Sequence, residues 1–175
     1  MLQVTVTGLL ENPELVILVG LLMRAGLAWQ RELSWYEYRT LHGLKRMLFP
    51  TLDRVEPMGF GLFVTEKGGR NDGEYIVTAS NSVREVVSGL RSEGGSLHLL
   101  SSIKRRSSGR GDTLSRAHVV FTNDGEQTEV YLFANDDGST DVYTHKEASV
   151  TRPNDHLEGA YEDGVTSDRI TSALE

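Results

Sequence analysis

The sequence predicts an α+β fold, with an N-terminal strand and an αα-hairpin packed on an antiparallel sheet that includes a three-stranded C-terminal meander. Two patterns and a length predict it. Apolar residues at helical spacing, punctuated by capping signals, run from Pro13 to Phe49. Short β-branched and aromatic runs separated by Asn/Asp–Gly turns fill Ala117 to His145. The chain has 175 residues, the size of one domain, and a domain of that size buries roughly two thirds of its unfolded surface. The expected division is one α+β domain over 1–153 and an acidic, polar extension over 154–175.

Each element has its own signal. Leu2 to Thr7 alternates at period two and reads as a strand. Asn12 then caps a helix with Pro13 at its first position and Glu14 in its first turn, where a carboxylate favours the helix dipole. That helix is expected to reach about Glu32. Its apolar residues surround the axis, which means burial on nearly all sides. Ser34 and Glu37 form the capping box of a second helix, with Trp35, Tyr38, Leu41, Leu44 and Leu48 as its apolar face and Pro50 as its end.

Most of the remainder reads as strands. Phe60–Thr65 and Glu74–Ala79 are expected to form a hairpin around a glycine-rich loop at 67–73. A short helix starts at Ser82, boxed by Glu85, and stops near Gly94-Gly95. Leu97 to Arg105 is assigned to a strand, and Ser107 to Asp112 to a flexible loop. Ala117–Phe121, Thr128–Phe133 and Asp141–His145 are the meander, turned by Asn123-Asp124-Gly125 and by Asn135 to Gly138. Beyond Pro153 one short helix is expected, from Ser167 to Leu174.

Composition narrows the chemistry. The chain has no cysteine, which excludes a disulfide framework, a thiolate zinc site and a thiol nucleophile. Charge is unevenly placed: residues 116–175 hold thirteen acids and four bases, a net of −9, while residues 1–60 are neutral and 61–115 carry +2. Direct nucleic-acid binding through the acidic last third is therefore disfavoured. Fourteen arginines against four lysines in an acidic chain fit either a GC-rich genome or adaptation to high salt. The apolar run Leu15 to Met23 stops at Arg24, short of the ~20 residues a membrane span needs. Glu11 and Glu14 precede it where a signal peptide carries basic residues. No membrane association is expected.

Candidate chemistry is sparse. Five histidines (His42, His98, His118, His145, His156) show no close ligand spacing. His118 and His145 lie on strands of one meander and can approach, with Glu147 and Asp155 near them in sequence; the reading favoured is surface or hydrogen-bonded structural histidines. Asp136 to Asp141 lacks the first ligand of a calcium loop, because Phe133 stands five residues before Gly138. Neither Lys67-Gly68-Gly69-Arg70 nor Ser108-Gly109-Arg110-Gly111 ends as a phosphate loop does, and no Gly-x-Ser-x-Gly elbow occurs. No catalytic residue, cofactor or metal site is assigned, and no enzymatic activity is expected. Two surfaces are: an interface at Leu15, Leu18, Leu22, Trp29 and Trp35, and a basic contact loop at Lys104, Arg105, Arg106 and Arg110.

The helical hairpin from Pro13 to Phe49, the meander from Ala117 to His145 and the tail after Pro153 together resemble the small head–tail connector and tail-completion proteins of tailed viruses, of a halophilic host where salt adaptation holds. The resemblance implies a virion protein assembled in the host cytoplasm, partnered by copies of itself and by other assembly proteins, and it carries over no functional residue. Two other readings stay open. One is a binding or regulatory module that presents the 104–110 loop to nucleic acid or an acidic partner. The other is a small enzyme centred on His118 or His145.

Overall fold

The computed structural model describes residues 20, 32–55, 67–68, 73–99, 103–106, 111–123, 125–148 and 162–175. The chain is α+β, and within these residues the elements follow as α1 (Trp35–Val55), β1 (Lys67–Gly68), β2 (Tyr75–Ala79), α2 (Val83–Ser92), β3 (Ser96–Leu97), β4 (Arg105–Arg106), β5 (Ala117–Asn123), β6 (Glu126–Ala134), β7 (Thr140–Ala148), β8 (Glu162–Asp163) and α3 (Asp168–Leu174). The main sheet is antiparallel in the order β2-β7-β6-β5-β3, with β8 also paired to β7. β1 and β4 form a separate parallel pair. No described helix is long and apolar enough to cross a membrane.

The meander is as the turns dictate. Gly125 and Gly138 take positive φ (88° and 87°), a conformation that glycine adopts without a Cβ penalty. The second turn closes through Asn135 N–H to Ser139 O at 2.9 Å and Gly138 N–H to Asn135 O at 3.1 Å. These turns set the register: Ala134 pairs Thr140 and Asn123 pairs Glu126, so Glu129 stands opposite His145 and Tyr131 opposite His118.

Strand alternation then separates two faces. One carries Val119, Phe121, Val130, Leu132 and Val142 into the core against Val86, Val87 and Leu90 of α2 and Ile170 of α3. The other carries His118, Gln127, Glu129, Tyr131, Phe133, Asp141, Tyr143, His145 and Glu147. An alternating strand normally turns such residues to water; here every one is buried.

The expected capping boxes form. Glu37 N–H donates to Ser34 Oγ at 3.3 Å and Ser34 N–H to Glu37 Oε2 at 3.2 Å; Ser82 and Glu85 repeat the exchange on α2. Other expectations are corrected. Pro50 does not end its helix: its fixed φ fits, and α1 continues to Val55 despite the lost backbone hydrogen bond and the crowding of the Arg46 carbonyl. Of the expected face of α1, Tyr38 is buried in the core and Trp35 and Leu41 pack half-buried against it, but Leu44 turns outward and His42 and Lys45 join the buried stripe; the Leu48 side chain lies outside the described residues. The strand expected over Leu97–Arg105 is two short ones, β3 and β4. The loop at 67–73 contains β1, which pairs with β4. Of the first helix only Gly20 is described, helical and exposed; the first strand, the rest of that helix and its hairpin contact, and the Phe60–Thr65 strand lie outside the described residues.

The C-terminal residues join the domain. Residues 162–175 were expected within a polar extension, but β8 pairs β7 and Ile170 is 1% exposed in the apolar core. Ser167 caps α3 by accepting from Ile170 N–H. At the α2–α3 crossing, a Cβ on Gly89 would stand 2.5 Å from the backbone oxygen of Ala173. Gly89→Ala is therefore expected to destabilise by about 1–2 kcal/mol, since overpacking against backbone outweighs the ~1 kcal/mol gain in helix propensity. Hydrogen exchange at the Ile170 amide checks this: faster exchange is expected, and unchanged or slower exchange would contradict the crossing.

Candidate functional site: a buried histidine–carboxylate cluster

The cluster grows from the register of β5, β6 and β7. Glu129 sits on the middle strand with His118 on one neighbour and His145 on the other. Its Oε2 is 3.2 Å from His118 Nε2 and 3.3 Å from His145 Nε2, and it accepts the Tyr131 hydroxyl. Glu147, two residues along β7, brings Oε2 to 3.8 Å from His145 Nε2. The Gln127 amide donates to both carboxylates, to Glu129 Oε1 at 2.8 Å and Glu147 Oε1 at 2.6 Å. It thereby occupies the two Oε1 atoms and leaves both Oε2 atoms toward His145.

A third carboxylate orients the far side of the ring. Glu74 Oε1 lies 3.0 Å from His145 Nδ1 and pairs with the Lys104 ammonium. Glu74 is itself fixed by its backbone, whose oxygen accepts from Thr144 N–H at 2.8 Å. Lys104 Nζ also stands 4.8 Å from the centre of the Tyr131 ring, against which His118 stacks at 4.2 Å.

Electrostatics separates the two histidines. Burial is the largest influence on His118 and lowers its pKa. Burial also works against a charge on His145, but Glu129 and Glu74 outweigh it and raise that imidazole to about 9. For Glu129, desolvation would raise the carboxyl, yet the nearby His118 imidazole, with His145 and the Tyr131 hydroxyl, holds it well below the usual carboxylate range. His118 is 1% exposed, and neither ring nitrogen makes an aligned hydrogen bond despite the closeness of Nε2 to Glu129. A buried polar group without its bond costs about 1–3 kcal/mol.

The expected basic contact loop is corrected here. Strand alternation turns Lys104 and Arg106 inward, to 1% and 3% exposure, and leaves Arg105 outside. Arg106 spans the end of the polar face: Nη1 pairs with Asp141 Oδ2 at 2.5 Å, Nε donates to Asp112 O at 2.7 Å, Nη2 donates to Asn135 Oδ1 at 3.0 Å, and the guanidinium stands 5.0 Å from the Phe133 ring centre. The basic run thus straps down a buried polar face. Arg110 lies outside the described residues. So do Leu15, Leu18, Leu22 and Trp29 of the expected interface, while Trp35 packs half-buried against the core.

Of the histidines, His118 and His145 both reach Glu129 Oε2, with Glu147 beside His145; Asp155 and His156 lie outside the described residues. His42 is a structural residue, its Nε2–H donating to Ser115 O at 3.0 Å. The sequence reading missed Glu129, Glu74, Gln127 and Tyr131, because on an alternating strand they pass for solvent-facing residues. No protein-family model, curated protein or solved structure matches this chain.

Proposed function

We propose that this chain is a structural subunit of a multi-copy assembly, in the head–tail connector, neck or tail-completion role of a tailed virus that the sequence resemblance implies. One observation carries the multi-copy part. The outward stripe of α1 presents Tyr36, Leu44 and Met47 at 63%, 37% and 78% exposure, spaced so that they share one helix face. Large side chains exposed along one helix face support an association surface, and a second copy of the chain is the partner proposed. Other assembly proteins and the virion location come with the viral role, which rests on the resemblance alone.

The other readings have less support. A binding module using the 104–110 loop loses Lys104 and Arg106 to the interior. An enzyme centred on His118 or His145 must first expose side chains only 1% and 2% accessible.

The absence of native cysteine makes the test clean. A photo-crosslinker carried on Met47→Cys is expected to give a ladder of covalent multimers, and the same reagent on Ser92→Cys, exposed on α2, far less. Equal yields, or monomer alone from both, would refute α1 as the contact.

A further inference from the structure

We infer that Glu129, His145 and Glu147 form a divalent transition-metal site, with His118 beside it against Glu129. Ligand atoms of the first three lie within 4.8 Å of one another. The Glu129 Oε2–His145 Nε2 separation of 3.3 Å matches the ~3.3 Å edge of a tetrahedron whose ligands sit about 2.0–2.1 Å from its centre. The His145–Glu147 separation of 3.8 Å closes to that edge with a small side-chain shift.

The surroundings are those of a metal centre more than of an ion pair. Metal-bound histidines commonly give their other nitrogen to a carboxylate, and His145 Nδ1 faces Glu74, which Lys104 anchors in turn. Gln127 pins the Oε1 atoms of both acids so that their Oε2 atoms converge. His118 provides an independent sign: a buried imidazole without an aligned bond, its Nε2 directed at Glu129. Once His145 gives up its proton to ligate, three carboxylates (Glu74, Glu129, Glu147) faced by one ammonium (Lys104) leave a formal charge of −2, which a divalent cation neutralises. A mixed imidazole and carboxylate set with no thiolate suits Zn²⁺, Co²⁺, Fe²⁺ or Mn²⁺ over soft metals. Because the ligands are buried on a sheet face, the inferred role is structural, locking three strands together.

Titration of the full, chelator-stripped chain with Co²⁺ tests this. A visible ligand-field band saturating at one equivalent is expected, with a raised melting temperature and selective paramagnetic shifts of the His145 and His118 imidazole resonances. Glu147→Gln should keep a cooperative melt while weakening Co²⁺ affinity at least tenfold. No saturable binding by the unaltered chain would overturn the site, as would binding that shifts other histidines instead. Should Glu147→Gln fail to fold, the imidazole shifts of the unaltered chain decide alone. If Co²⁺ binds and the chain remains monomeric, the site stands while the assembly proposal falls.

Discussion

Asp141→Ala is expected to lower stability by about 3–5 kcal/mol, the cost of stranding one member of a buried ion pair. Asp141 is fully buried and Arg106 is 3% exposed, so water cannot replace the lost carboxylate. That carboxylate also accepts from Thr78 Oγ1 and from Asn135 Nδ2, so one substitution unties β2 and the β6–β7 turn together with the 103–106 strap. For a domain of this length the loss corresponds to a fall in melting temperature of roughly 10 °C. Denaturant unfolding of Asp141→Ala beside the double variant Asp141→Leu, Arg106→Met separates the causes. Replacing both charges with apolar groups should recover much of the loss. Equal loss in both variants would mean that packing and the bonds to Thr78, Asn135 and Asp112, not the uncompensated guanidinium, dominate.

The second large effect is acid sensitivity through His42. Its Nε2–H is committed to Ser115 O and its Nδ1 faces the Tyr38 hydroxyl at 3.4 Å. Burial, together with the charges of Lys45 and Arg46, lowers its pKa from 6.5 to about 3, against the pull of Ser115. The unfolded chain then binds a proton in a range where the folded chain does not, so stability falls with falling pH between about 6.5 and 3. Above pH 6.5 the group has no effect. From pH 6.5 to 4.5 one such group removes about 2 kcal/mol. Other groups titrate in this range, including His98, which burial lowers to about 4. Comparison with His42→Gln isolates the term: the stability gap between parent and variant should narrow by about 2 kcal/mol over that interval. A constant gap would mean that His42 titrates at its ordinary value when folded.

Much of this fold was legible, and for specific reasons. Ser34/Glu37 and Ser82/Glu85 satisfy backbone donors within four residues, so their caps could be read without tertiary information. The meander was legible because its turn glycines and β-branched runs are local as well. The cluster was legible only in part. Once the two turns are placed, pairing of 134 with 140 and of 123 with 126 puts Glu129 opposite His145 and diagonal to His118, so that juxtaposition was encoded in the turns. What could not be read was burial of the polar face. That depends on the strap at 103–106, where period-two alternation sends Lys104 and Arg106 inward and makes a basic loop look solvated. Leu44 failed for a related reason: beyond the apolar contacts of Trp35, Tyr38 and Leu41, the buried stripe of α1 is set by Ser115 and Leu99, whose carbonyls receive His42 and Lys45.

The claim that this chain works as one of many copies is tested most directly by the native mass of untagged protein, measured by light scattering at low and at molar salt. A species several times the 19.4 kDa chain mass is predicted, growing as salt screens the −9 of residues 116–175. A 19.4 kDa monomer at every salt and protein concentration would contradict it.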